Sequence, residues 1–281
     1  MIRSRKIYRI PPVLVSIFYI FLFYRAIKMF SELFDDYSVY ETATQCYRKY
    51  WNILNVENFF DMFPHIAGRC APLFSEMNIY RFGDEDEWRY SMLPRAIKGE
   101  RKCNAFAFIG LTHALAVETE IKRNLMFDCD FLGMNPNASD IAHDFAMEVG
   151  EFMRSRDLEA WNGLSERSLA SHLSKVMELK ASEKAVVAEH IFVNEIEDPY
   201  ALLPKMIDTV GYVKYIVPCQ LTIDLPLPTH FQLINLIDFV GNIIEKERYT
   251  ILSAEKIDDT MRLYLFYHAH QKCNQRYGPD Y

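Results

Sequence analysis

The sequence is poor in glycine, with 10 glycines among 281 residues. Phosphate-binding loops place several glycines close together so that the backbone can approach the ligand, and an elaborate loop of that kind is not expected here. The chain also lacks an excess of basic residues, because its formal net charge is −7 and its pI is about 5.7. A protein that binds the phosphate backbone needs a basic surface, so nucleic acid is not an expected partner.

Motifs for binding metal are missing as well. None of the six cysteines forms a Cys-x-x-Cys pair, and the histidines do not have the spacing of zinc ligands. His268 and His270 alternate near the C-terminus, but they have no third ligand beside them. The chain has neither internal repeats nor low-complexity tracts. Half of its residues are hydrophobic, which is enough for one large core with at most a small additional unit.

The first 30 residues carry the clearest local signal. Basic residues at positions 3, 5, 6 and 9 precede an uncharged run from Ile10 to Tyr24. A helix of that length spans about 22 Å, and the residues up to Phe30 extend it toward the roughly 30 Å of a bilayer core. The pattern predicts a cytosolic segment at 1–9 and a transmembrane signal anchor at 10–30. A cleaved signal peptide and a buried or surface helix are the alternatives.

The basic residues precede the apolar run, so the positive-inside rule places the rest of the chain in the lumen of the secretory pathway. The protein is then a single-pass type II membrane protein, or a secreted protein if the signal is cleaved. Six cysteines, an even number, permit disulfides in that compartment, although buried free thiols are the alternative. Asn137-Ala138-Ser139 is the one sequon for N-glycosylation, and it matters only in a luminal protein.

Residues 31–100 are predicted to be an irregular, partly helical lead-in to a main domain at 101–281. The many aromatic side chains of the lead-in are expected to pack against that domain, and the acidic run at 84–87 is expected to form a solvated loop.

Strands and helices alternate from residue 104 onward. The pattern predicts strands at 104–109, 130–133, 190–194 and 215–224, and helices at 114–123, 140–154, 200–208 and 230–246. Two further strands, at 249–253 and 261–267, are expected to pair around a turn at Asp258-Asp259. This alternation predicts an α/β, Rossmann-like fold: a mainly parallel sheet with helices on both faces and an antiparallel C-terminal edge.

The segment FAFIGLTHALAVE at 106–118 resembles the first strand and cofactor turn of the FkbM-type methyltransferases. One subgroup of that family has a turn that reads Gly-x-Gly-His-Asp followed by a nearby glutamate, and Gly110, His113 and Glu118 match it. Other segments resemble the remaining parts of the family in order: 88–104 before the first strand, then 131–136, 193–206, 219–228, 246–252 and 262–277. The resemblance covers residues 88–277.

This resemblance implies S-adenosylmethionine as the cofactor. The matched positions that would hold it are Gly110, Thr112, His113, Asn135 and Asn194. Three of these residues differ from those of the family: Thr112 replaces a glycine, and Asn135 and Asn194 replace acids. A Cβ at position 112 narrows the approach to the backbone, and asparagine binds ribose hydroxyls without charge assistance.

Further changes from the family lie near these positions. Ala114 replaces an aspartate, and Glu195 and Glu197 flank the position where Ile196 replaces a glutamate. Ordinary structural roles are the alternative for the candidates: Gly110 and Asn135 as turn residues, His113 as a packed or capping residue, and Glu195 as a solvated acid. The family tail also brings Cys273 beside the strand that carries Cys219, so the resemblance implies a Cys219–Cys273 disulfide.

Two functions of different classes follow from these residues. The first is an anchored enzyme that transfers a methyl group from S-adenosylmethionine to a hydroxyl of a luminal glycan, lipid or small molecule, with Glu195 and His113 as candidate bases. The second is a luminal binding or structural protein that keeps the methyltransferase fold without catalysis. A glycosyltransferase on a type II anchor is a third reading, but Asp128-Cys129-Asp130 leads into a strand, which is not the context of its metal motif.

Overall fold

The computed structural model describes residues 22–25, 39–85, 87–96, 102–110, 115–126, 128–134, 140–153, 186–194, 199–200, 203 and 216–279. Most of the predicted anchor lies outside these ranges, and the described residues 22–25 are helical and exposed. Within the described ranges, no helix has both the length and the apolar character needed to span a bilayer. The predicted helix at 200–208 lies largely outside them, and residues 154–185 lie outside them entirely.

The lead-in contains two helices and a β-hairpin. Helix α1 covers residues 39–51, and α2 (Phe59–Cys70) runs into a 3₁₀ turn at Ala71–Phe74. Strands β1 (Ile79–Gly83) and β2 (Trp88–Met92) then pair in antiparallel fashion. As expected, the aromatic side chains of this part, including Tyr40, Tyr47, Phe59 and Phe60, are buried in the core of the main domain.

The described residues of the main domain form a seven-stranded sheet. Its strands are β3 (Lys102–Ile109), β4 (Asp128–Met134), β5 (Glu151–Met153), β6 (Val186–Val193), β7 (Ile216–Pro226), β8 (Tyr249–Ile257) and β9 (Thr260–Tyr267). They are ordered β5-β4-β3-β6-β7-β9-β8. The first five in this order are parallel, whereas β9 is antiparallel to both β7 and β8. The predicted mixed sheet, mainly parallel with an antiparallel C-terminal edge, is confirmed.

Helices cover both faces of this sheet: α3 (Ala116–Asn124), α4 (Asp140–Glu148), α5 (His230–Lys246) and α6 (Gln271–Tyr277). Alternate residues of β3 enter two different apolar clusters. Phe106 and Phe108 pack with residues of α3 and α4, whereas Ala105, Ala107 and Ile109 join the larger cluster that contains α2 and α5. This alternation is what a strand buried on both faces requires.

Helix α5 has the predicted bounds because its sequence carries complete start and packing signals. Thr229 accepts a hydrogen bond from the backbone of Gln232, and Gln232 returns one to Thr229, so the first turn is capped. Its buried residues recur every three or four positions: Leu236, Phe239, Val240, Ile243 and Ile244.

Three expectations about local structure need correction. The helix predicted at 140–154 ends at Glu148, and β5 follows at Glu151–Met153. Gly150 lies between them and lets the chain pass close to β4, because a Cβ there would lie 2.3 Å from the carbonyl oxygen of Phe131. The lead-in is more regular than expected, since it contains the hairpin. The acidic run at 84–87 is not simply a solvated loop, because Glu87 is partly buried at the hairpin turn.

All six cysteines lie in the described ranges, and all are paired. Cys46–Cys70 joins α1 to α2, Cys103–Cys129 joins β3 to β4, and Cys219–Cys273 joins β7 to α6. The alternative of mostly free, buried thiols does not describe the structure. Cys219–Cys273 is the pair that the family resemblance implies, and its Cα atoms are 5.1 Å apart.

Candidate functional site

The candidate site lies at the carboxyl ends of the parallel strands. The strand order reverses between β3 and β6, and ligands of such sheets bind outside the strand ends at that reversal. Gly110 follows β3 with a positive φ of 75°, and Asn194 follows β6. The Asn194 amide donates a 2.8 Å hydrogen bond to the carbonyl of Ile109, so the two strand ends are joined directly.

The structure describes only part of the predicted cofactor set. Gly110 and Asn194 are brought together, and both are buried. Ile109 of β3 pairs with Met134 of β4, so β4 ends at this same edge. Thr112, His113, Asn135 and Glu195 lie outside the described residues, and so does the sequon at Asn137.

An arginine of the hairpin covers this edge between β6 and β7. Arg89 is 6% exposed, and its Nε and Nη2 donate to Oδ1 of Asn194 at 3.3 and 3.2 Å. Nη2 also donates to Oδ2 of Asp224 on β7 at 3.0 Å. Burial lowers the pKa of Arg89 from its ordinary value, and the charge of Asp224 opposes that change. Nη1 donates to the carbonyl of Trp88 at 2.9 Å, so the buried guanidinium is held by a side-chain amide, a carboxylate and a backbone carbonyl.

A second arginine completes the network. Arg262 of β9 binds Asp224 with two hydrogen bonds, 2.8 Å from Nε to Oδ1 and 3.0 Å from Nη2 to Oδ2. Its Nη1 donates to the carbonyl of Trp88 at 2.6 Å, and its guanidinium lies 5.1 Å from the centre of the Trp88 ring. The bidentate geometry fixes Asp224, which in turn orients Arg89.

Two acids lie beside Arg89. Glu118, in the first turn of α3, is 3% exposed, and its Oε2 has no hydrogen-bond partner among the described residues. Burial raises the pKa of Glu118 to about 7, and the charge of Glu87 adds to this, whereas Arg89 opposes it. Burial also raises the pKa of Glu87. A buried carboxyl that changes protonation near neutral pH, at a strand-end edge, is typical of a functional site.

A polar layer beneath this network fixes strand β2 across the sheet. His190 lies between Ser91 and Thr222, with 2.9 Å contacts from its two ring nitrogens. The side chain of Gln220 bonds both the amide and the carbonyl of Met92, at 2.7 and 3.0 Å. Burial lowers the pKa of His190 well below its ordinary value, so the ring is neutral and its role is structural.

Sequence reasoning found Glu118 through the family resemblance but missed the arginine network. A signal was present in the sequence of β7, where Gln220, Thr222 and Asp224 alternate with apolar residues. This period of two places three polar side chains on one face of a strand that is otherwise apolar. Trp88 and Arg89 lie in the segment that precedes β3. Nothing in the local pattern of that segment indicated that it crosses the sheet.

The strand order and this edge define a Rossmann-like α/β protein. No protein-family model matches the chain, and no curated protein matches it by sequence. Among solved structures, the chain is similar to an rRNA methylase from Escherichia coli, with a TM-score of 0.30 and 9% identity over 58% of this chain. The chain spans 57% of that protein's length.

Two further structures are similar at the same level. The 16S rRNA methylase ArmA has a TM-score of 0.33 and 9% identity, with 81% of this chain and 97% of ArmA covered. The 16S rRNA methylase RmtB has a TM-score of 0.29 and 10% identity, with coverage of 82% and 74%.

Proposed function

We propose that this chain is an S-adenosylmethionine-dependent methyltransferase-type protein that takes its cofactor at the carboxyl edge of β3, β4 and β6. The strand order carries the proposal. With β3 as strand one, the order is 3-2-1-4-5-7-6, and strand seven is antiparallel. Dinucleotide-binding sheets continue the 3-2-1-4-5 order with a sixth parallel strand. An antiparallel seventh strand inserted beside the fifth is the arrangement of the methyltransferase fold.

The described residues at this edge fit the cofactor. Gly110 has a left-handed backbone and no Cβ, so a ligand can approach the chain where β3 ends. Oε2 of Glu118 is a buried acceptor that has no partner among the described residues, and a ligand donor would satisfy it. When bound, the cofactor supplies an electrophilic methyl group. By resemblance, Thr112, His113 and Asn135 would complete its contacts.

Glu118 is the best placed described residue to move a proton. Its pKa of about 7 allows the carboxylate to accept a proton from a hydroxyl acceptor near neutral pH. The bidentate pair between Asp224 and Arg262 holds Arg89 in place, so the charge beside Glu118 is fixed. Glu195 and His113 remain proposed as alternative bases. The proposed acceptor is a hydroxyl of a luminal glycan, lipid or small molecule.

One observation favours a second candidate, a luminal binding or structural protein without catalysis. The side-chain oxygen of Asn194 already accepts two hydrogen bonds from Arg89, and Asn194 is 4% exposed. The chain's own hairpin thus occupies a group that a cofactor would otherwise use. The replacements at positions 112, 114 and 135 also favour the second candidate. Compared with the family motif, each of them reduces the space or the charge that is available to a cofactor.

Calorimetric titration of the full chain with S-adenosylmethionine and S-adenosylhomocysteine tests the proposal. We expect binding, and we expect the Thr112→Gly/Asn135→Asp variant to bind severalfold more tightly. The variant removes the side chain of Thr112 from the turn, and its new carboxylate at position 135 adds a charge-assisted hydrogen bond to the ribose of about 1 kcal/mol. Asn78→Asp, an exposed position before β1, is the matched control and should leave binding unchanged. Absence of binding by both proteins, with unchanged circular dichroism, would favour the second candidate.

A further inference from the structure

The strand-end edge carries unequal numbers of positive and negative side chains. Among the described residues, Arg89 interacts with four charged groups: Asp224, Arg262, Glu87 and Glu118. Three acids therefore face two cations. Asp84, at the hairpin turn, adds to the negative side through Glu87. Beyond Arg262 lie Glu255 and Arg81, whose opposite charges offset each other. The edge thus holds one more negative charge than its own cations neutralise.

The hydrogen bonds show which acid has no cation bound to it. Both oxygens of Asp224 accept hydrogen bonds from the two arginines. Oε1 of Glu87 lies 3.7 Å from Nη2 of Arg89. Nε and Nη2 of Arg89 also bind Asn194, which is a neutral amide. The excess charge therefore falls on Glu118, whose Oε2 has no hydrogen-bond partner among the described residues.

Burial makes this excess charge unfavourable. Glu118 is 3% exposed, and a carboxylate that is buried without a partner is destabilised relative to its protonated form. Burial is the main cause of its raised pKa of about 7, and the charge of Glu87 adds to the rise, whereas that of Arg89 opposes it. Below pH 7 a proton therefore neutralises the side chain. A ligand with a positive charge would neutralise it without the proton.

The position of Glu118 places it in the proposed cofactor site. Glu118 lies in the first turn of α3, the helix that follows Gly110 in the chain. It interacts with Arg89, which binds Asn194 at the end of β6. The proposed ligand has the matching charge, because S-adenosylmethionine carries a sulfonium and an ammonium group against a single carboxylate.

We propose that Glu118 binds the positive charge of the ligand at this edge, and that the cation replaces the proton of Glu118 when the ligand binds. The proton passes to the solvent, so binding releases up to one proton per ligand. This inference rests on the proposed function for the identity of the ligand. It also connects two roles of Glu118, because loss of the proton leaves the carboxylate that a base at this position requires.

Calorimetric titration of the full chain with S-adenosylmethionine at pH 6, in two buffers of different ionisation enthalpy, counts the released protons. Glu118 is mostly protonated at pH 6, because its pKa is about 7. We therefore expect wild type to release roughly 0.5 to 1 proton per ligand. Glu118→Gln should bind more weakly and release none, whereas the control Glu148→Gln should match wild type. The inference is overturned if the ligand binds without proton release, or if Glu118→Gln releases as many protons as wild type.

A second measurement needs no cofactor. The glutamate carboxyl groups are labelled with carbon-13, and the Glu118 signal is identified by its absence from Glu118→Gln. The titration of this signal is then followed in trimethylsulfonium chloride and in sodium chloride at equal ionic strength. We expect the midpoint to be about half a pH unit lower with trimethylsulfonium, which corresponds to about a threefold stabilisation of the carboxylate.

The two measurements distinguish a failure of this inference from a failure of the proposed function. If S-adenosylmethionine binds without releasing a proton, the cofactor site stands and the role of Glu118 is wrong. If S-adenosylmethionine does not bind but trimethylsulfonium lowers the midpoint, the proposed function is wrong and the cation site stands. If the cofactor does not bind and the midpoint is the same in both salts, both are wrong.

Discussion

Glu118 combines two features that rarely occur together in a stable fold. Its carboxyl is almost completely buried, and one of its oxygens has no partner among the described residues. Burial raises its pKa from the ordinary value to about 7, so the folded protein holds a proton that the unfolded chain releases between pH 4.5 and 7. In that window the folded state binds more protons, and the free energy of unfolding falls as the pH rises.

We predict that Glu118→Gln is more stable than the wild type above pH 7 and similar to it near pH 4.5. A shift of this size corresponds to about 3 kcal/mol, because one pKa unit is worth about 1.4 kcal/mol. Urea unfolding followed by circular dichroism between pH 4.5 and 8 measures the difference. Glu148→Gln, on the exposed end of α4, is the control and should show no comparable pH-dependent gain. Equal pH dependence in wild type and Glu118→Gln would contradict the prediction.

Residue patterns could predict part of the candidate site. Gly110 was accessible because it follows a strand whose pattern is visible in the sequence, whereas Glu118 and Asn194 were found only through the family resemblance. Arg89 was not accessible, because its role depends on how the hairpin crosses the sheet. That crossing is set by contacts distant in sequence, such as Met92 with Gln220. Local propensity carries no information about such pairs.

At the scale of elements, α6 is held by more than its own hydrogen bonds. Helices as short as Gln271–Tyr277 are marginal in isolation, so packing must stabilise this one. The Cys219–Cys273 disulfide attaches it to β7. Glu189 of β6 is fully buried, pairs with Arg276, and accepts a 2.6 Å hydrogen bond from the hydroxyl of Tyr277. Covalent and ionic contacts thus join the C-terminal helix to the centre of the sheet.

We predict that the Cys219→Ala/Cys273→Ala variant loses about 4 kcal/mol of stability. The crosslink closes a loop with a sequence separation of 54, and the chain-entropy model gives that value for the freedom restored to the unfolded chain. Urea unfolding of both proteins under non-reducing conditions measures the loss. The control is the wild type after full reduction, which should lose at least as much. Peptide mapping without reductant that finds either thiol free would count against the pairing itself.

Elements with complete local signals could be predicted, and those defined by tertiary contacts could not. Helix α5 carries a capping box and a regular apolar face, so its bounds were predictable. Strand β5 has three residues, too few to show a period, and it forms because Gly150 allows a close approach to β4. The β1–β2 hairpin has its turn in the acidic run, where the Asp84 amide bonds the carbonyl of Glu87 at 2.9 Å.

At the scale of the whole molecule, three disulfides are spread over the chain. One lies in the lead-in, one joins two central strands, and one joins the sheet to the C-terminal helix. Disulfides persist in oxidising compartments and are rare in the cytosol. Complete pairing of the cysteines therefore supports our proposal that the domain is luminal, independently of the charges around the N-terminal apolar run.

We predict that residues 31–281 lie in the lumen and that Asn137 carries an N-linked glycan. We expect the basic residues before Ile10 to hold the N-terminus in the cytosol, and we expect the apolar run to Phe30 to stay in the membrane. Protease added to intact microsomes should leave the C-terminal domain whole, and detergent should expose it. Endoglycosidase should shift the mobility of the wild type but not that of Asn137→Gln or Ser139→Ala. If the protease digests the domain in intact microsomes, the predicted orientation is wrong. If the domain is protected but no protein is bound to the membrane, the apolar run is a cleaved signal.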